Sequence, residues 1–166
     1  MKKFLFFLLL ISYNIYSQTT KTDVFSKDFE KKEGFVDFYW NESKGKVYLN
    51  IKDLNQEFLY VNYLSAGVGS NDIGLDRGQI GGTKIISFVK MGSKIVMIQP
   101  NYKFRAITDN LDEKKSVADA FASSAIWGFD IVANKEDSYM IDFTEFLLRD
   151  SHGITNRLKR QKQGTF

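Results

Sequence analysis

The pattern of apolar and polar residues predicts three β-hairpins along the chain. Each consists of two apolar or alternating runs joined by a short turn segment, a pattern that is typical of paired strands burying one face. Pro100 ends the second pair, because proline has no N–H to donate to a strand ladder. The paired runs are 35–40 with 46–51, 83–90 with 94–99, and 129–133 with 139–143.

The remaining apolar segments predict one further strand and two helices. The run 58–64 is apolar on both faces, which favours an internal strand. Residues 112–127 carry apolar and small side chains at helical spacing after a capping residue at 109–110, and they predict one amphipathic helix. Thr144 is expected to cap a short helix at 145–149. The expected fold class is therefore α+β: a mostly antiparallel, hairpin-connected sheet with one amphipathic helix and a short C-terminal helical segment.

The beginning of the chain has the layout of a secretory signal peptide. In residues 1–17, two lysines precede a short apolar run and a modest cleavage context. The run is far shorter than the roughly 20 residues that span a bilayer, so we expect no stable membrane insertion, although an uncleaved anchor stays open. Residues 18–33 are predicted to be a linker and residues 34–166 one domain. The expected location is outside the cytoplasm, in the periplasm or the extracellular medium.

Charge and composition exclude several classes of function. The chain of 166 residues has 23 lysines and arginines against 20 acids, and removal of residues 1–17 takes away two lysines and no acid. Residues 18–166 are therefore nearly neutral and lack the excess of positive charge that is typical of nucleic-acid-binding proteins. The absence of cysteine excludes disulfides, thiolate zinc ligands and a thiol nucleophile, and a single histidine excludes HExxH. A triad of His152 with Asp150 and Ser151 stays open but lacks a GxSxG elbow. We assign no catalytic residue and no metal ligand.

A glycine-rich segment at residues 66–82 is the most unusual part of the sequence. It contains six of the twelve glycines and four polar residues that we take as candidate loop contacts, Asn71, Asp72, Asp76 and Arg77. A phosphate-binding loop is disfavoured because Asp72 stands where the third glycine belongs. Three interpretations of the segment remain: a calcium-binding loop, a site with a pair of catalytic carboxylates, and an ordered loop that is structural or contacts a partner.

Four longer motifs carry a family resemblance that covers nearly all of residues 33–166. They are EFLYVNYLSAGVGSNDIGLDRGQIGG at 57–82, QPNYKFRA at 99–106, AFASSAIWGF at 120–129 and DFTEFLLRDSHGITNRL at 142–158. Together they resemble the N-terminal region of large secreted bacterial zinc-dependent metalloproteases.

The resemblance implies a non-catalytic N-terminal domain that is inactive by itself. The family has a metzincin-like catalytic domain in which HExxH binds zinc, and none of that motif lies in this chain, so zinc is expected only in the missing catalytic domain. The expected partners are that downstream domain and a peptide or protein substrate. The ending at 163–166 looks like a turn entering a strand, which predicts that the chain is a fragment. The alternative is a free-standing secreted binding module that uses the loop 66–82.

Overall fold

A computed structural model describes residues 28–67 and 73–163, and within these ranges eight strands form one antiparallel sheet. The strand order is β1-β2-β3-β8-β7-β6-β5-β4. The strands are β1 Glu30–Lys32, β2 Asp37–Asn41, β3 Lys46–Ile51, β4 Phe58–Tyr63, β5 Ile80–Met91, β6 Lys94–Gln99, β7 Ser124–Lys135 and β8 Ser138–Asp142. The helices are α1 Leu111–Ala120, α2 Thr144–Leu148 and α3 Ile154–Arg160.

The three hairpins that the sequence predicts are confirmed. They are β2–β3, β5–β6 and β7–β8, and each pair is antiparallel. The fold is a mostly antiparallel, curled sheet with a few short helices. It agrees with the predicted α+β class in being mainly an antiparallel sheet that also contains helices. The predicted signal peptide at 1–17 lies outside the described residues.

The connection from β3 to β4 requires the sheet to curl. In a flat sheet the five strand spacings between these two strands would span about 24 Å. The link 52–57 could cover roughly that distance only if it were fully extended. Instead it turns at Asn55, whose φ is 62° and whose N–H donates to the carbonyl oxygen of Phe88 at 2.8 Å. Near the ends of the sheet, the rings of Phe35 and Phe58 meet with centroids 5.5 Å apart.

The main apolar core lies on the face toward which the sheet curls, and we call it the inner face. Its buried members come from β3, β5, β6, β7, β8 and α2. They are Ile51, Ile86, Phe88, Ile95, Met97, Phe129, Ile141 and Phe146. A smaller cluster of Tyr48, Ala133 and Met140 forms a second group of buried residues.

The short helix α2 covers the inner face through one aromatic side chain. The Phe146 ring is 2% exposed and contacts the rings of Tyr60, Trp127 and Phe129 at centroid distances of 5.5–5.9 Å. The guanidinium of Arg149 stacks 3.4 Å from the centre of the Phe146 ring and donates to the Tyr60 hydroxyl at 2.9 Å. The segment after β8 is thus fixed to β4, at the far edge of the sheet.

The predicted helix 112–127 is wrong in its second half. α1 ends at Ala120, and the N–H of Phe121 donates to the carbonyl oxygen of Val117. From Ser124 onwards the chain forms strand β7, because it pairs there with β6, beginning with Ser124 opposite Gln99. All ten residues of α1 are described and none is buried, so the predicted packing face is absent. Long-range strand pairing has overridden the local helical pattern.

Three further expectations are corrected by the structure. β4 is an edge strand of the described sheet and not an internal one, and its second apolar face is exposed. Residues 30–32 of the predicted linker form the opposite edge strand, β1. Thr144 does not cap α2 with its side chain; its hydroxyl oxygen accepts a hydrogen bond from the N–H of Val47 at 3.1 Å, which holds the start of α2 against β3.

Replacement of Phe146 by alanine is expected to destabilise the protein by about 3–5 kcal/mol, because it removes a buried ring and leaves a cavity. The measurement is urea unfolding followed by circular dichroism. Leu147→Ala on the same helix is the matched control, since that side chain is 54% exposed and its loss should change the free energy of unfolding by less than about 0.5 kcal/mol. Equal losses for the two variants would contradict this role, and Phe146→Leu gives an intermediate value if the alanine variant does not fold.

Candidate functional site

The glycine-rich region is closed at its base by backbone hydrogen bonds. The N–H of Leu64 donates to the carbonyl oxygen of Gln79 at 3.0 Å, and the N–H of Gly78 donates to that of Leu64 at 2.7 Å. A Cβ atom on Gly67 would lie only 3.0 Å from the backbone nitrogen of Arg77. Leu75 is 1% exposed, so one loop side chain belongs to the interior. The described part of the loop is therefore anchored.

The structure places two of the four candidate contacts. Asp76 and Arg77 are exposed and adjacent, and the carbonyl oxygen of Asp76 accepts a hydrogen bond from the N–H of Gln79 at 3.1 Å. Asn71 and Asp72 lie outside the described residues. The loop is also shorter than expected, because Gly81 and Gly82 belong to β5.

Gly81 leaves room for the side chain of Asn62 at a β-bulge between β4 and β5. The register shifts between Val61 and Tyr63, and a Cβ atom on Gly81 would lie 2.5 Å from the side-chain nitrogen of Asn62. That nitrogen lies within hydrogen-bonding distance of Nε2 of His152, at 3.2 Å. The single histidine thus ties the C-terminal segment to the bulge.

The residues of the possible triad have separate structural tasks. The carboxylate of Asp150 accepts hydrogen bonds from the N–H groups of Thr155 at 3.0 Å and Ile154 at 2.7 Å, so it caps α3. These two bonds hold the pKa of Asp150 below its usual value. His152 contacts Asn62 instead, and Arg157 of α3 donates to the carbonyl oxygen of Gly74 at 2.7 Å. Asp150 and His152 therefore contact different parts of the fold, α3 and β4.

The outer side of β4 and β5 presents a row of exposed apolar side chains. Leu59 pairs with Ile85, and Tyr63 pairs with Ile80, so both pairs lie on one face of the two strands. Leu59 is 64% exposed, and Tyr63 and Ile80 are each 67% exposed. We call this surface the β4–β5 face; its members are Leu59, Val61, Tyr63, Ile80 and Ile85.

The two edge strands of the described sheet differ in charge. β1 has a charged side chain at each of its three positions, a common protection against pairing with other chains. β4, with the sequence FLYVNY, has none. An uncharged edge strand with exposed apolar side chains is a surface suited to a protein partner.

A groove of about 310 Å³ opens on the other side of β5. β4 pairs with β5 over Ile80–Ile86, whereas β6 pairs with it only from Ser87 onwards. In the described sheet the first half of β5 therefore has a neighbouring strand on one side only. We call this space the β5 groove; it is lined by Thr83, Lys84, Ile85, Gln99, Pro100, Asn101, Tyr102, Lys103, Ala122 and Ser124.

Sequence reasoning did not find either surface. The local sequence signals of the β5 groove are Pro100, which ends β6, and Asn101 behind it. Asn101 holds the segment 100–123 closed at its base: its side-chain nitrogen donates to the carbonyl oxygen of Phe121 at 3.0 Å, and its Oδ1 accepts from the N–H groups of Lys103 and Phe104.

Residues 28–67 and 73–163 contain no group of three histidine, cysteine or carboxylate side chains that could hold a metal ion. The helices of the same ranges are all too short or too polar to cross a membrane.

Comparison with known families assigns the chain. The profile described as Domain of unknown function (DUF5117) matches residues 78–166, which is more than half of the chain, and the chain therefore belongs to this family. A second profile, Domain of unknown function (DUF5118), matches residues 19–67. No curated protein and no solved structure matches the chain.

The two matched regions build one sheet together. β1 to β4 lie in the first matched region and β5 to β8 in the second. The regions are joined twice, because β3 pairs with β8 and β4 pairs with β5. Neither region keeps its sheet neighbours without the other, so we infer that the two form a single folding unit.

A fragment of residues 73–166 is therefore expected to lack a cooperative thermal transition. β8 loses its partner β3 and β5 loses its partner β4, which leaves two new strand edges, and Phe146 loses its contact with Tyr60 of β4. The measurement is a circular dichroism melt beside the full chain. A sigmoidal melt of the fragment near the full-length midpoint would show that the second region folds alone.

Asp150→Ala is expected to cost about 1 kcal/mol of stability near pH 7, the usual value of a helix cap. Because the pKa of Asp150 is lowered in the folded state, its contribution is fully present above its unfolded pKa of about 3.9 and is lost as pH falls through the folded value. The unfolding curves of native protein and variant should thus converge at acidic pH. A difference that is the same at pH 7 and pH 2.5 would contradict this, and Asp150→Asn, which keeps an acceptor, is the control.

Proposed function

We propose that this chain is a non-catalytic accessory domain of a secreted zinc-dependent metallopeptidase, and that it docks onto the catalytic domain of that protein through the β4–β5 face. The observation that carries the docking is the uncharged edge strand β4 with its exposed apolar row. The resemblance of the four long motifs to metalloprotease N-terminal regions supports the identity of the partner.

Edge pairing and apolar burial would act together at this face. β4 has no partner strand on its outer edge among residues 28–67 and 73–163, so its backbone N–H and C=O groups on that edge can pair with another strand. The outward side chains Leu59, Val61 and Tyr63 alternate along the same strand and would be removed from water in the same contact. The inner-face residues of β4, Phe58 and Tyr60, are occupied by the core, so docking needs no rearrangement of the sheet.

A second candidate function is a free-standing secreted binding module that uses the glycine-rich loop. The observation in its favour is the exposed pair Asp76 and Arg77 on an anchored loop base. Asp76→Ala with Arg77→Ala would abolish binding of a partner by this loop and would leave docking through the β4–β5 face unchanged. The two functions are therefore separable by mutation.

The decisive experiment is titration calorimetry of the full chain against the catalytic domain encoded by the same gene, if the genomic reading frame continues beyond Phe166 into an HExxH-containing domain. Leu59→Lys with Tyr63→Lys should weaken association at least tenfold, because two ammonium groups would be buried in an apolar contact. The free energy of unfolding of this double variant should change little, since the side chains of Leu59 and Tyr63 are largely exposed.

The matched control is Met91→Lys with Leu148→Lys. These side chains are 53% and 80% exposed and lie outside the β4–β5 face, so the double variant adds the same charge elsewhere. Equal weakening by the two double variants would overturn the assigned surface. A reading frame without HExxH would overturn the metallopeptidase partner.

A further inference from the structure

We propose that the β5 groove is a second interaction site, which binds an extended acidic polypeptide segment alongside the first half of β5. The proposal rests on the proposed function only for the source of that segment, the partner domain. The groove itself is defined by its own backbone and charges, which differ from those of the β4–β5 face.

The shape of the groove suits an extended chain. β6 stops at Gln99 and the segment leaves the sheet at Pro100, and beyond that point the groove is lined by Thr83, Lys84 and Ile85 of β5. The opposite wall is built by Ala122 and Ser124, where the chain returns into β7. A strand lying here would continue the line of β6 and satisfy the free side of β5, the recognition mode known as β-augmentation.

The walls are held in position before any ligand arrives. Asn101 fastens both ends of the segment 100–123 through its three hydrogen bonds. Tyr102 is fixed by a hydrogen bond from its hydroxyl to the carboxylate of Glu57, just before β4. A pre-formed groove binds with less loss of conformational entropy than a mobile one.

The charges of the groove favour an acidic segment. Lys84 and Lys103 line it and no acidic side chain does. The ammonium of Lys84 donates to the side-chain oxygen of Gln99 at 3.0 Å, and that of Lys103 lies 5.4 Å from the Phe104 ring centre. Within the described ranges neither ammonium forms an ion pair, so both are available for carboxylates of a ligand.

Polar residues in the lining of the groove suit a peptide backbone. Thr83, Gln99 and Ser124 are lining residues whose hydroxyl and amide groups can pair with N–H and C=O groups of an extended chain. A small anion would use the lysines but not the free side of β5. This difference separates a polypeptide ligand from a simple anion in an experiment.

The test uses the full chain and three fluorescein-labelled octapeptides in fluorescence anisotropy at about 0.15 M salt, where distant charges are screened. The first peptide alternates valine and glutamate, the second alternates valine and lysine, and the third repeats the first with every backbone nitrogen methylated. We expect the valine–glutamate peptide to bind at least tenfold more tightly than either of the others, because only it supplies both carboxylates and pairing N–H groups.

Charge reversal in the groove should invert the preference. In Lys84→Glu with Lys103→Glu, the valine–lysine peptide should bind more tightly than the valine–glutamate peptide. Lys44→Glu with Lys135→Glu changes the net charge equally outside the groove and should keep the native preference. Thermal melts verify folding, and Lys103→Glu alone replaces the double variant if the latter does not fold.

Three results would overturn the proposal. They are equal affinity of the native chain for the two unmethylated peptides, unchanged affinity for the methylated peptide, and an equal effect of the control double variant. No catalytic domain is present in this assay, so its outcome is independent of the calorimetric test of the β4–β5 face. Peptide binding without domain association would refute the proposed function and leave the groove site standing.

Discussion

The burial of Phe146 against the inner face is the contact on which the curled sheet depends. An antiparallel sheet with one apolar face needs a cover, and here the cover is a helix of five residues. A single ring reaches aromatic side chains of β4 and β7, and Arg149 stacked on it reaches the hydroxyl of Tyr60. Because α2 follows β8 and contacts β4, this cover holds a central strand and an edge strand in one curved arrangement.

The same curvature explains why two family regions form one body. The β3–β4 link is short, and it can place β4 at the far edge only when that edge bends back over the core. β4 then pairs with β5, the first strand of the second region, and β3 pairs with β8, its last strand. The boundary between the two profiles falls in the glycine-rich loop, whose base is closed by Leu64 and Gly78.

The parts of the fold that sequence could predict are those with local causes. The three hairpins follow from alternation and turn residues that lie within a few positions of each other. The end of α1 and the edge position of β4 depend on pairing partners distant in sequence, Gln99 opposite Ser124 and Ile85 opposite Leu59. Asp76 and Arg77 could be named as candidate loop contacts because the glycine-rich segment that contains them is evident from neighbouring residues in the sequence. The β5 groove could not, because three separate segments build it.

The position of β5 connects the two proposed surfaces physically. Its first half has β4 on one side and the open groove on the other, and Ile85 belongs both to the exposed apolar row and to the groove lining. A partner domain that covers the β4–β5 face therefore ends beside the groove, within reach of one extended segment. Apolar burial at β4 would supply affinity, while the two lysines and the free backbone of β5 would select which segment enters, a division of roles common in protein interfaces. One partner with a compact surface and a neighbouring acidic strand would satisfy both sites.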